Sequence, residues 1–130
     1  MRGASKASLA TIVALLLVSS ARGHGEPERP SVTLTGEVVD LTCYVAHGVR
    51  GSDNAFCAEH STQVAQPVAL LTDDGAVYLL AADHDNRFGY EHIRTLVGER
   101  ARVEGVASER NGVKLLEVKR ASRRKSKETS

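Results

Sequence analysis

The chain has 130 residues, with 17 Lys or Arg against 16 Asp or Glu and a formal net charge of +1 at pH 7. A chain of this length forms one domain rather than several. Trp is absent, only 3 Tyr and 2 Phe are aromatic, and residues 22–118 carry 9 basic against 15 acidic residues, a net charge of −6. Proteins that bind nucleic acid present basic grooves and stacking aromatic side chains, so this composition argues against nucleic acid as a partner.

The amino terminus has the pattern of a secretory signal peptide. Arg2 and Lys6 supply positive charge, an apolar run covers Leu9–Val18, and small residues follow. The run is much shorter than the roughly 20 apolar residues that a membrane-spanning helix requires. We expect residues 1–21 to be cleaved, with a cut after Gly23 as the second candidate. The mature protein is then expected to be soluble, without a transmembrane span, and exported to the periplasm or the extracellular space.

The first predicted strand contains a change of phase. Apolar residues alternate with threonines over residues 32–35, as in a half-buried strand, whereas Val38 and Val39 are adjacent. Gly36 precedes this change, and a glycine inside a strand is typical of a bulge or a sharp bend. The pattern predicts one long, bent strand that runs on to a Cys-Tyr pair.

Two hairpins are predicted from apolar runs that flank turn residues. The first joins Val68–Leu71 to Ala76–Leu80, and the pair Asp74–Gly75 between these runs favours a tight turn. The second is indicated by Asn111–Gly112, which stands between the last two predicted strands. These signals account for four strands in addition to the first.

A short helix is predicted between the two hairpins. Ile93, Leu96 and Val97 follow a helical spacing, and Gly98 offers a left-handed C-terminal stop. The predicted order is therefore β-β-β-α-β-β. This order and the bent first strand favour a mainly β, five-stranded, OB-fold-like barrel. The long segment between strands one and two then forms a cysteine-containing helical insertion.

Composition divides the chain after the predicted signal peptide into three parts. Residues 22–31 are polar and contain proline, so they are expected to form an extended leader. The barrel domain is predicted to cover residues 32–118. Residues 119–130 hold 6 basic residues against a single Glu and show no apolar periodicity. A disordered basic tail is therefore predicted there.

Several of these features together resemble a group of small exported bacterial proteins without an assigned activity. That group shares a strand ending in a Cys-Tyr pair, a cysteine-containing insertion and a P-V-x-L-L-T-x-D-G hairpin, and the resemblance covers residues 32–118. It implies an OB-like barrel and an exported location. The positions that fall on the shared pattern are Asp40, Cys43, Tyr44, Cys57, Pro67 and Gly75. Ser61 stands where members often have a further cysteine.

Both cysteines of the chain lie in the insertion, and each precedes a histidine by a few residues. Two cysteines in one exported domain usually form a disulfide, because the compartment is oxidising. Two close Cys-His pairs are also typical of zinc ligands, and copper is a second candidate metal. We favour a Cys43–Cys57 disulfide and retain, as the alternative, a zinc or copper site. Its ligands would be Cys43, His47, Cys57 and His60.

A second cluster, Asp83-His84-Asp85, follows the third predicted strand. Two carboxylates and an imidazole can bind a divalent ion or serve as acid and base. Asp and Asn also form turns and cap helices, and Asp85 and Asn86 stand just before the predicted helix. We therefore expect turn and cap roles here, and keep the cluster as a secondary candidate site.

The sequence favours a binding module over an enzyme. It contains no H-E-x-x-H, no nucleophile elbow and no phosphate-binding glycine loop. We expect an exported binding or accessory module of unknown ligand. Its insertion would present Tyr44, His47 and His60 at the mouth of the barrel to a metal ion, a small ligand or an exported protein.

Overall fold

The structure is a computed structural model that describes residues 29–60 and 66–125. Its elements are β1 (Val32–Asp40), α1 (Leu41–His47), α2 (Gly51–His60), β2 (Val68–Thr72), β3 (Val77–Ala82), α3 (Phe88–Arg94), β4 (Arg100–Arg110) and β5 (Val113–Arg123). Within these residues, no helix has both the length and the apolar character needed to cross a membrane. The predicted signal peptide, most of the predicted leader and residues 126–130 of the predicted tail lie outside the described residues.

The strands form a closed barrel in the order β1-β2-β3-β5-β4. β3 and β5 are parallel, and the other neighbouring strands are antiparallel. Closure pairs each strand on both sides, which removes the exposed edges of an open sheet. A five-stranded barrel with a helix between its third and fourth strands is OB-fold-like. The predicted fold class is confirmed, including the helical insertion between β1 and β2.

The barrel interior holds the main hydrophobic core, and α3 closes one end of it. Ile93 of α3 and Leu96 in the following turn belong to the same buried cluster as the strand side chains. Gly89 permits this close approach, because a Cβ atom there would lie 2.6 Å from the carbonyl oxygen of Lys119. The strand residues that are completely buried in this core are Val38, Leu70, Ala101, Val103, Leu116 and Val118.

The change of phase in β1 arises because both faces of its second half are buried. Val38 belongs to the core inside the barrel, whereas Val39 belongs to a second apolar cluster with Ala69 and Leu71. Alternation of apolar and polar residues marks a strand with one solvated face, so it disappears where a strand is covered on both sides. The adjacent valines thus indicate that something covers the outer surface of β1 and β2.

Gly36 lies where β1 passes from one neighbouring strand to the other. β1 pairs with β4 over residues 32–37 and with β2 over residues 36–40. A Cβ atom at Gly36 would overlap the carbonyl oxygen of Leu71, so this crossing requires a residue without a side chain. The register continues without a shift through Gly36 in both pairings. The predicted alternative of a bulge at this glycine is therefore wrong.

β1 ends at Asp40, earlier than the predicted strand, which ran on to Tyr44. The Oδ1 atom of Asp40 accepts a hydrogen bond from the backbone N–H of Cys43 at 2.9 Å. Asp40 is therefore the N-cap of α1, and its side chain satisfies one of the free N–H groups of the first turn. The Cys-Tyr pair lies in α1, so the prediction that it ends a strand is wrong.

β5 extends to Arg123, beyond the predicted end of the domain at residue 118. The register of the β4–β5 pair shifts between Glu104 and Gly105, which leaves Lys119 as an extra residue in β5. Such a bulge re-aims the side chains that follow it. The predicted disordered tail is therefore wrong for residues 119–123, which are part of the barrel.

Candidate functional site: the helical insertion

A disulfide joins the two helices of the insertion, which we define as residues 41–67. The sulfur atoms of Cys43 in α1 and Cys57 in α2 are 2.10 Å apart, and their Cα atoms are 6.1 Å apart. Cys43 is buried, with a relative exposure of 1%. The predicted pairing is confirmed, and it makes α1 and α2 one covalently linked unit.

Asn54 connects α2 to the end of β1. It is a helical residue with a relative exposure of 0%. Its Oδ1 atom accepts a hydrogen bond from the N–H of Asp40 at 2.8 Å. Its Nδ2 atom donates to the carbonyl oxygens of Asp40 at 3.2 Å and Val49 at 3.1 Å. The buried amide thereby satisfies backbone groups of both β1 and the α1–α2 connection.

Glu37 holds the start of α2 against β1. Its Oε2 atom accepts hydrogen bonds from Nε and Nη2 of Arg50 at 3.1 and 2.9 Å. Its Oε1 atom accepts from the backbone N–H of Gly51, the first residue of α2, at 2.5 Å. A carboxylate at this position suits the unpaired N–H groups of a helix start, and the Arg50 guanidinium balances its charge.

The turn after α3 provides a third contact for the insertion. A Cβ atom at Gly98 would lie 2.5 Å from the carbonyl oxygen of Gly51 and 2.8 Å from Cβ of Ala55. The N–H of Gly98 donates to the carbonyl oxygen of Val38 at 2.7 Å, so the turn is also attached to β1. α2 therefore packs directly against backbone of the barrel domain, at a distance that only glycine permits.

The inner face of α1 covers the outer surface of β1 and β2. Leu41 and Tyr44 pack against the second apolar cluster, which consists of Val39, Ala69 and Leu71. Tyr44 is half-buried in this contact. Packing of α1 onto the barrel is thus the structural role of Tyr44, and its expected contact with a ligand stays a prediction.

The outer surface of the insertion, which we define as Val45, Phe56 and His60, is exposed. Val45 in α1 has a relative exposure of 71%, and Phe56 in α2 has one of 63%. The ring of His60 lies on that of Phe56 with 4.0 Å between centroids, and its Nδ1 atom is 2.8 Å from the Phe56 carbonyl oxygen. The insertion is therefore fixed on its barrel side and presents apolar and aromatic groups to solvent.

A metal site is not assembled from the predicted ligands. In residues 29–60 and 66–125, no group of three or more His, Cys, Asp or Glu side chains is arranged to hold a metal ion. The sulfur atoms of Cys43 and Cys57 are joined to each other, whereas a zinc site of this kind uses thiolates. His47 and His60 are both exposed, and each ends its own helix.

The Asp83-His84-Asp85 cluster forms a turn. The Oδ1 atom of Asp83 accepts from the N–H groups of Asp85 at 2.9 Å and Asn86 at 3.2 Å. Asn86 in turn accepts from the N–H of Phe88, the first residue of α3, at 3.0 Å through its Oδ1 atom. These hydrogen bonds confirm the expected turn role for Asp83 and Asn86. The expected cap at Asp85 or Asn86 is wrong, because the N-cap of α3 is Arg87, which makes no side-chain cap hydrogen bond. His84 is exposed.

No family model, curated protein or solved structure matches this chain. The site is therefore interpreted from its own geometry.

Glu37 and Asn54 are central to the site, but sequence analysis does not single them out. Each is a polar residue in a segment that contains other polar residues, so neither stands out by composition. One signal was present for Asn54, because residues three apart lie on the same face of a helix. Asn54 therefore shares a helix face with Cys57, which has to face α1 to form the disulfide. His60 has the same spacing from Cys57 and is exposed, so this signal alone does not identify the side that faces the barrel.

Proposed function

We propose that this chain is an exported, non-enzymatic binding or accessory module whose insertion docks a partner protein. The observation that carries the proposal is the contrast between the fixed barrel side of the insertion and its exposed outer surface. Exposed aromatic residues on a well-supported surface are typical anchors of protein–protein contacts. Phe56, with a relative exposure of 63%, is such a residue, and Val45 offers a second apolar group on the neighbouring helix.

The restraints on the insertion support a binding role. The disulfide joins α1 to α2. The Asn54 amide and the Glu37 carboxylate each attach α2 to β1. A surface that is already ordered loses less conformational entropy when it binds, which favours affinity. Antiparallel strands are usually joined by loops of about 2–5 residues, so residues 41–67 are far more than the β1–β2 connection needs.

The chemistry of the polar groups also supports binding over catalysis. Among the described residues, every buried side-chain nitrogen and oxygen atom has a hydrogen-bond partner. Where β1 meets the insertion, these partners are mainly backbone groups, as for Asp40 and Asn54. Groups that are occupied in this way hold the fold together, whereas a catalytic acid or base has to face a substrate.

Site-directed photo-cross-linking in the host tests the proposal. A photoreactive phenylalanine analogue is placed at position 56, and the matched control carries it at position 88. Phe88 has a relative exposure of 74% but lies on α3. We expect one discrete cross-linked protein from position 56 that position 88 does not give. Identical products from both positions, or none from position 56, would exclude docking through this surface.

The competing function, metal binding through the four Cys and His side chains, is separated by a different measurement. Native mass spectrometry and elemental analysis are applied to protein recovered from its host. A metal-free protein without titratable thiols supports the docking module. Reduced thiols with one bound zinc or copper ion would instead support the metal site, because zinc requires deprotonated cysteines.

A further inference from the structure

One exposed face of the barrel consists of polar side chains from β1, β4 and β5. Thr35 and Arg102 are paired across β1 and β4, and Glu104 is paired with Arg120 across β4 and β5. Residues that are paired directly project from the same face of a sheet. Arg124 joins this face, because its Nη1 atom lies 3.4 Å from Oγ1 of Thr35. We call it the basic face; its residues are Thr35, Arg102, Glu104, Arg120, Ser122 and Arg124.

The basic face carries more positive charge than its one carboxylate neutralises. Nη2 of Arg120 lies 2.8 Å from Oε1 of Glu104, and this hydrogen bond holds the pKa of Glu104 below its ordinary value. Arg102 and Arg124 then add two further guanidinium groups to the same face. Lys125 follows directly in the chain. On the other side of the Glu104–Arg120 pair, Asp83, Asp85 and Lys119 line a cleft together with Glu104 and Arg120. The surplus positive charge is thus concentrated on Arg102 and Arg124, which do not line that cleft.

The shape of the basic face is that of an open surface. A cleft of 360 Å³ is lined by Arg102, Glu104, Arg120, Ala121 and Ser122. These residues all come from two neighbouring strands, so the cleft is a depression in the barrel wall. Small ligands are usually enclosed on most sides by their pockets. An open charged depression instead suits contact with a broad surface.

We propose that the basic face docks on the phosphate headgroups of an anionic phospholipid bilayer. Guanidinium groups recognise phosphate by charge-assisted, often bidentate hydrogen bonds, and the Thr35 and Ser122 hydroxyls add uncharged donors. Export, which residues 1–21 predict, would place the protein beside a membrane. Single-stranded nucleic acid is the competing polyanion, but proteins that bind it stack its bases on aromatic side chains. The residues of the basic face include no aromatic side chain.

This proposal goes beyond partner docking, because the basic face lies on β1, β4 and β5 and leaves α1 and α2 free. Each basic residue close to an anionic bilayer changes affinity about 5-fold. Replacing Arg102→Gln together with Arg124→Gln should therefore weaken binding about 30-fold. Replacing Glu104→Gln should strengthen it about 5-fold, because Arg120 is no longer neutralised.

Co-sedimentation with vesicles tests the proposal. The protein is recovered from its host after processing, with its amino terminus established by intact mass. Vesicles of phosphatidylglycerol with phosphatidylcholine are compared with vesicles of phosphatidylcholine alone. The control is Arg94→Gln with Arg110→Gln, which removes the same charge from exposed positions outside the basic face. We expect wild type and control to bind the anionic vesicles in a salt-dependent manner, and the Arg102/Arg124 variant to lose this binding.

Three results would overturn the proposal. The first is equal binding to anionic and neutral vesicles, and the second is an equal loss in the two double variants. The third is tighter binding to a single-stranded oligonucleotide than to anionic vesicles. Both are compared at the same salt concentration and the same concentration of nucleotide or lipid phosphate groups. An increase in vesicle binding by Glu104→Gln could not be attributed to a loss of folded protein. Thermal melting of every variant accompanies the measurements.

Discussion

The side chain of Asn54 in α2 hydrogen-bonds to both backbone polar groups of Asp40, the last residue of β1. Oδ1 of Asn54 accepts from the Asp40 N–H at 2.8 Å, and Nδ2 donates to the Asp40 carbonyl oxygen at 3.2 Å. One side-chain amide therefore supplies what the peptide group of a neighbouring strand would supply. β1 can end and α1 can begin here without leaving buried backbone groups unpaired.

Asn54→Ala should destabilise the protein by about 3 kcal/mol, because it leaves a buried N–H and two carbonyl groups with fewer partners. Urea unfolding monitored by circular dichroism measures the change. The matched control is Ser52→Ala, an exposed position in the same helix, for which a change within about 0.5 kcal/mol is expected. Equal midpoints for the two variants would show that the amide contributes nothing to stability.

The disulfide should contribute about 3 kcal/mol, as the chain-entropy model gives for a loop of about 15 residues. Cys43 and Cys57 are 14 positions apart. Replacing both by Ser should lower the free energy of unfolding by this amount, measured by urea titration. Adding reductant to the wild type should reproduce the effect, and adding it to the double variant should change nothing. A wild type that is insensitive to reductant would contradict this prediction.

The turns of this fold were predictable because local chemistry determines them. Gly75, Gly98 and Gly112 have φ values of +85°, +84° and +82°, a region that glycine adopts without the steric cost of a side chain. Gly75 and Gly112 stand at the two hairpin turns that the sequence analysis predicted. Gly98 was predicted to end the helix, but α3 ends at Arg94 and Gly98 lies in the turn that follows. Since the strands lie between these turns, the order of elements and the barrel followed from local signals.

The attachment of the insertion was not predictable in the same way, because its contacts are between distant residues. Glu37 reaches Arg50 and Gly51, and Asn54 reaches Asp40, only after α1 and α2 have folded back onto β1. No periodicity in the sequence encodes this return.

The end of β5 was missed for a related reason. Its last residues are mostly basic and exposed, and the bulge at Lys119 interrupts the alternation by which a strand is recognised. Composition alone indicated a disordered tail there. The tertiary pairing with β4 overrides that local signal.

Gly98→Ala should be more destabilising than Gly112→Ala, although both residues have a positive φ. The two substitutions share the cost of this φ, about 1–2 kcal/mol for a non-glycine residue. At Gly112 nothing lies within 4 Å of the added Cβ atom, whereas at Gly98 the carbonyl oxygen of Gly51 would be 2.5 Å away. We expect an additional loss of about 2 kcal/mol at Gly98 from overpacking. Equal losses in thermal or urea unfolding would show that α2 does not pack tightly against this turn.

The Glu104–Arg120 pair should make stability depend on pH in the acidic range. The hydrogen bond from Arg120 lowers the pKa of Glu104 in the folded protein from its ordinary value of 4.5. A carboxyl group with a lowered pKa stabilises the fold above the pKa of the unfolded chain, and this contribution is lost as the pH falls through the folded value. The pair is exposed, so its contribution is small and is screened by salt.

Carbon-13 NMR titration of the Glu104 carboxyl group measures its pKa in the folded protein directly. Replacing Arg120→Gln removes the hydrogen bond that is the main cause of the shift, so the pKa of Glu104 should rise towards its ordinary value. The control is Arg110→Gln, which removes an exposed charge near the second hairpin and should leave the Glu104 titration unchanged. If Glu104 titrated identically in wild type and Arg120→Gln, the pairing would not exist in solution. The basic face would then carry a free carboxylate beside a free guanidinium, and the gain in vesicle binding expected for Glu104→Gln would have to arise without release of Arg120.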